Sequence, residues 1–171
     1  MMRIRRNLVG FMLATLTIAA SFADDAVIRK NWFNDPFFNV ANDIADCPAP
    51  RGPRMTHSEM QGYAHSRAEF GTTCWLTGKC EKSNFYQYDT DISQELRRRF
   101  KQSDRFKNAT LWIWMRARVV WVEGCVGEDF DERALEEFVK AIPEVRFVVP
   151  NLTCGSRGKP AYPIAEPGID Q

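Results

Sequence analysis

The sequence predicts an α+β domain in the C-terminal half of the chain, preceded by an irregular, Cys-containing extension. Three observations carry that expectation: two segments with helical apolar spacing, a stretch dense in Trp, Ile and Val that alternates with period two, and the order in which they come. That order is helix, strand, strand, helix, strand. Two helices on one face of a three-stranded mixed sheet make a compact unit with a single core.

The first helix rests on Ile92, Leu96 and Phe100, which recur at i, i+4 and i+8. It is predicted over about 92–103, with Asp91 and Gln94 at its start and Arg97, Arg98 and Lys101 on its wet side. Leu111 to Val126 then reads as two strands broken at Ala117-Arg118. A two-residue turn there pairs 116 with 119, 114 with 121 and 112 with 123. In that register Leu111, Ile113, Met115, Val120 and Val122 share one face, and Trp112, Trp114, Trp121 and Glu123 share the other. A slip of one residue would mix the two sets. The turn is unusual, because neither Ala117 nor Arg118 readily adopts the positive φ that tight hairpins prefer.

The second helix, about 130–142, carries Leu135, Phe138, Val139 and Ile142 as its buried stripe. Asp129 and Glu132 cap it, and Pro143 ends it. The third strand, Val145 to Leu152, is expected to point Val145, Phe147 and Val149 inward. Residues 155–171 are rich in Gly and Pro and read as a loose tail.

The N-terminus has the form of a cleavable export signal. Arg3, Arg5 and Arg6 precede an apolar run from Leu8 to Ala20, and Ser21 and Ala23 supply small residues before a cut after Ala23. An uncleaved anchor is the rival reading, but this run is short for a bilayer. Removing 1–23 takes away three Arg and no acid, leaving 20 basic against 22 acidic residues. That balance lacks the electrostatic footprint of a nucleic-acid binder. The expected location is periplasmic.

Residues 24–88 are turn-rich but hold many aromatics, which argues against disorder and for packing. Thr56-His57-Ser58-Glu59 has the form of a capping box and suggests a short helix to about Ala68. The organisation is thus a signal (1–23), an extension (24–88), the α+β domain (89–154) and a tail (155–171).

At 91–153 the chain resembles the BON family, the bacterial periplasmic osmotic-response and nodulation-type domains. The resemblance is carried by Ile92 and Leu96, by Val120-Trp121-Val122-Glu123-Gly124-Cys125-Val126, and by Ile142-Pro143-Glu144-Val145 with Val149-Pro150-Asn151-Leu152. Gly124 matches the family's signature glycine, where a strand interior allows close backbone approach. Arg116-Ala117-Arg118 replaces the family's Gly or Asn turn, and Glu144 replaces its Gly before the last strand. The resemblance implies an envelope-resident, non-enzymatic binding module, docking on anionic phospholipid or on an envelope or secretion assembly. The alternative is a periplasmic adaptor or inhibitor that uses the Cys-rich extension.

The candidate contact surface is the Trp face: Trp112, Trp114 and Trp121, with Arg116 and Arg118 at the hairpin tip to attract anionic headgroups. Either the extension folds over this face or it meets a partner, which includes a second copy of the chain in a homo-oligomer. The five cysteines, Cys47, Cys74, Cys80, Cys125 and Cys154, read as disulfide partners in an oxidising compartment. Cys125 with Cys154 is the favoured bridge; Cys74 pairs with Cys80, or Cys47 takes one of them. A zinc site from Cys74, Cys80, His57 and His65 would need closer Cys spacing. No motif calls for a metal or a cofactor, and the scattered His57, His65, Glu59, Glu69 and Asp89 form no recognisable catalytic set.

Overall fold

The computed structural model describes residues 27–171. The export signal and its cleavage site therefore lie outside the described residues. The elements run β1 (Phe37–Asn42), α1 (His57–Glu69), α2 (Thr72–Leu76), a 3-10 turn (Phe85–Tyr88), α3 (Asp89–Lys101), β2 (Ala109–Arg116), β3 (Val119–Val126), α4 (Glu132–Lys140) and β4 (Phe147–Cys154). The class is α+β, and α3-β2-β3-α4-β4 follows the predicted order.

The sheet has four strands in the order β1-β2-β3-β4, where three were expected. The additional edge strand, β1, comes from the extension and runs antiparallel to β2. Its sequence, FFNVAN, hides the usual alternation for two reasons. Phe37 sits opposite Trp114 and Phe38 opposite Ile113, so both faces begin apolar, and a bulge between Asn39 and Ala41 breaks the register.

The β2–β3 hairpin has the predicted pairing, with Arg116 opposite Val119 and Trp114 opposite Trp121. Leu111, Ile113, Met115, Val120 and Val122 are fully buried on one face, against Ile92, Leu96 and Phe100 of α3 and Leu135 and Val139 of α4. Phe138 packs edge-on against Phe100 and Phe106, with centroids 5.1 and 5.0 Å apart. Two caps differ from expectation. Helix α3 begins at Asp89 with no side-chain cap, and α4 is capped by Asp131, whose Oδ1 accepts from Ala134 N at 2.9 Å.

Gly124 sits at φ 153°, and a Cβ there would stand 1.9 Å from the Thr110 carbonyl oxygen on β2. Only a residue without a side chain lets the two strands approach.

β4 runs parallel to β3, and its faces are opposite to those expected. Phe147 lies opposite Val119 and Val148 opposite Val120, so Val148 and Leu152 join the core while Phe147 is 58% exposed on the outer face. Val145 is buried, but it lies in the turn before the strand and does not set the strand's alternation. Residues 161–171 are not loose. Tyr162 is buried, Ile164 bridges to Pro50, and Asp170 bridges to Arg29. No helix among the described residues is long and apolar enough to cross a membrane.

Candidate functional site

The outer face of the sheet alternates with the core face, so β2 and β3 must present Trp112, Trp114, Trp121, Glu123 and Cys125 there. Trp114 and Trp121 are directly opposite and stack at 4.0 Å with an interplanar angle of 5°. All three tryptophans are half-buried rather than bare. A strap of residues 47–55 crosses this face, and Pro50, Pro53 and Met55 are its buried residues.

The strap is pinned by a disulfide between Cys47 and Cys125, with Cα atoms 5.8 Å apart. This corrects the expected bridge from Cys125 to Cys154. Cys154 pairs with Val126 across the parallel strands, whereas Cys125 pairs with Thr153, so the two cysteines stand on opposite faces. Cys154 is a free, exposed thiol. Cys74 and Cys80 are bonded to each other, which removes both from any zinc site. The tail lies against the strap: Arg51 N donates to Pro163 O and Ala165 N to Ala49 O, each at 2.8 Å, and Tyr162 Oη donates to Pro48 O at 2.8 Å.

The hairpin tip is equally occupied. Ala117 and Arg118 adopt φ of 52° and 69°, and both of their N–H groups donate to the carboxylate of Asp89, at 2.7 and 2.8 Å. The Asp89 carboxylate substitutes for the Gly or Asn that the turn otherwise wants. Burial pushes the Asp89 carboxyl up to about 6, while the two N–H groups pull it back down.

Arg116 and Arg118 do not stand free for headgroups. Arg116 Nε meets Asp35 Oδ2 at 3.1 Å, and Arg67 clamps the same buried carboxylate with contacts of 3.1 and 2.6 Å. Arg118 reaches both the carbonyl and the carboxylate of Glu144, at 2.7 and 2.9 Å.

Two features of the extension were not anticipated. The first is a cavity of about 220 Å3 between the strap, α1 and the tryptophan face, bounded by Arg51, Met55, Tyr63, Trp114, Arg116 and Glu123. Glu123 is 3% exposed; its Oε1 takes a long contact from Asn151 Nδ2 at 3.4 Å, and burial raises its pKa. The Trp114 indole and the Arg51 guanidinium lie on the same side of this carboxylate, and a hydrogen bond from the first and the charge of the second pull its pKa back down. Buried polar atoms are almost always paired, and here the chain's own groups meet at the cavity wall. A Glu placed on an aromatic strand face was the only signal of this in the sequence.

The second is the arm formed by α1 and α2. The capping box forms as predicted, Glu59 N donating to Thr56 Oγ1 at 3.2 Å and Thr56 N to Glu59 Oε2 at 2.7 Å. Yet neither helix buries a single residue. The arm is moored chiefly through Arg67, which also lies over the rings of Phe33 and Tyr86 at 4.0 and 3.8 Å. Of the nine large apolar side chains that are exposed among the described residues, seven belong to the extension: Val27, Ile28, Trp32, Tyr63, Phe70, Trp75 and Leu76.

Comparison with protein-family models, with curated proteins and with solved structures returns no match.

Proposed function

We propose that the chain is an exported, non-catalytic binding module of the bacterial envelope, and that its extension makes the contact with a partner protein. A BON-like domain in this reading serves as the platform. One observation carries the choice of surface: no residue of α1 or α2 is fully buried within the chain, while Trp75 and Leu76 project from α2 at 45% and 71% exposure. An isolated helix of this length is marginal in water, so an arm with no fully buried residue is best stabilised by a second molecule. The Cys74–Cys80 bridge closes the loop that follows and limits the entropy lost on docking.

Docking on phospholipid through the hairpin is less well supported. That reading needs free arginines and an open aromatic face, and both are engaged within the chain. Two disulfides among the described residues suit an oxidising, exported setting.

The test places a photo-crosslinking residue at position 75 or 76, and for comparison at 147, in the envelope of the source organism. A discrete adduct from 75 and 76, absent from 147 and lost with Leu76→Asp, is the expected result. Equal labelling from all three positions, or flotation of the chain with anionic vesicles in low salt, overturns the reading.

A further inference from the structure

We propose that the groove between β1 and α3 takes an extended acidic segment of a partner protein, which adds to the free edge of β1 as a further strand. β1 ends the sheet, and among the described residues it pairs only with β2. Met115 N donates to Pro36 O and Phe38 stands opposite Ile113, so by alternation Phe37 and Asn39 turn their backbone N–H and C=O groups away from β2. The strand's sequence, FFNVAN, carries no charge to guard that edge. Beside it lies a groove of about 330 Å3, bounded by Asn39 and Val40 of β1 and by Arg97, Phe100 and Lys101 of α3. A helix flanking an edge strand is the setting in which extended peptides add to a sheet.

Charge selects the occupant. Between Glu95 and Lys101, α3 holds four cations and one acid, and that acid is shared by Arg98 and Arg99. Arg97 and Lys101, which face the groove, have no ion pair among the described residues. The Arg97 guanidinium lies over the Phe38 ring at 3.7 Å, which holds it at the rim. The two cations are one step of four residues apart on the helix, about 6 Å. Alternate side chains of an added strand stand about 7 Å apart on one face. Carboxylates at i and i+2 therefore meet both cations, whereas carboxylates at i and i+1 point to opposite faces. A second copy of this chain fits less well, because pairing β1 with its own copy sets two pairs of Arg97 and Lys101 side by side. The bulge between Asn39 and Ala41 also shortens the regular edge, which suits a short segment rather than a long seam between sheets.

This groove shares no residue with the α1–α2 arm and does not depend on that contact. The test titrates the full chain, with both disulfides formed, into a fluorescein-labelled peptide of Thr and Val with Glu at i and i+2, read by anisotropy in low salt. Saturable binding with a Kd below about 200 µM is expected, with slowed hydrogen exchange at the Phe37 and Asn39 amides in the complex. Lys101→Glu, at an exposed position, should weaken binding about fivefold, as an attraction is exchanged for a repulsion of like size. Arg97→Gln should weaken it too; should that variant fail to fold, Lys101→Glu decides alone. A peptide with Glu at i and i+1, or one N-methylated along its backbone, should bind at least about fivefold more weakly.

No saturation by about 2 mM, equal affinity for either control peptide, or an unchanged Kd in Lys101→Glu overturns the proposal. Slowed exchange at Phe37 and Asn39 in the peptide-free chain at rising concentration also overturns it, because a second copy would then hold the edge. Anionic vesicles that displace the peptide and lose their hold in Lys101→Glu would assign the cations to a membrane and overturn it as well.

Discussion

Asp89 holds the hairpin turn with an ionisable group, so the turn's stability should depend on pH in a calculable way. Its carboxyl is pushed from the usual 3.8 up to about 6 in the folded chain, chiefly by burial. At about 1.4 kcal/mol per pH unit, that rise makes the ionised folded form cost about 3 kcal/mol relative to the unfolded chain. Between the two values the folded state binds the additional proton, so stability falls as pH rises through that window. Below about 4 both states are protonated and the cost is absent; above about 6 it is fully present.

The perturbation is Asp89→Asn, which cannot titrate and still offers one acceptor to the turn. Urea unfolding of both proteins at pH 4, 5, 6 and 7 isolates Asp89, because the other titrating groups largely cancel in the difference. Wild type should gain about 3 kcal/mol relative to the variant between pH 7 and pH 4. A difference that stays flat, or that changes in the opposite sense, would refute the assignment of Asp89 as a buried carboxylate clasping the turn.

Gly124→Ala should lose more than about 4 kcal/mol of stability or fail to fold, because its Cβ would stand 1.9 Å from the Thr110 oxygen at φ 153°; a thermal melt of the purified chain measures this. Replacing Cys47 and Cys125 together by Ala opens a loop of 78 residues and should cost about 4–5 kcal/mol by loop-closure entropy. The Cys74–Cys80 loop spans six residues and should cost about 2 kcal/mol, so denaturant melts of the two variants should rank in that order. Without reductant the native chain should show one accessible thiol, Cys154, and a peptide linking Cys125 to Cys154 on mass mapping would contradict the observed pairing.

The hairpin was legible from residues alone. Its faces separate by chemistry only in the register with 116 opposite 119, and that is the register found. Gly124 and the Thr56–Glu59 capping box were legible for the same reason: each reflects a local backbone demand. Asp89 was missed, although a turn without Gly or Asn at positive φ calls for an acceptor elsewhere. Starting α3 at about 92, with Asp91 as its cap, placed Asp89 outside the helix, three residues short of the buried Ile92. For β4, Val145 was counted into the alternation although it lies before the strand, and this one-residue error reversed the faces and joined Cys125 to the wrong partner.

What the sequence determined by itself, then, is whatever lies within one element or one turn: the helical stripes of α3 and α4, the alternation of β2 and β3, and the α+β class they imply. These follow from periods of 3.6 and 2 that the backbone imposes on neighbouring residues. Only the tertiary structure decided that β1 closes the sheet edge, that Cys47 reaches Cys125 across 78 residues, and that the strap covers the tryptophans. It also decided that Arg116 and Arg118 are ion-paired, each with a carboxylate distant in sequence. Such pairings depend on where remote segments meet, and a local pattern of polarity carries no record of that meeting. The cavity bounded by Glu123, Trp114 and Arg51 belongs to the same class, since its walls come from the strap, α1 and two strands at once.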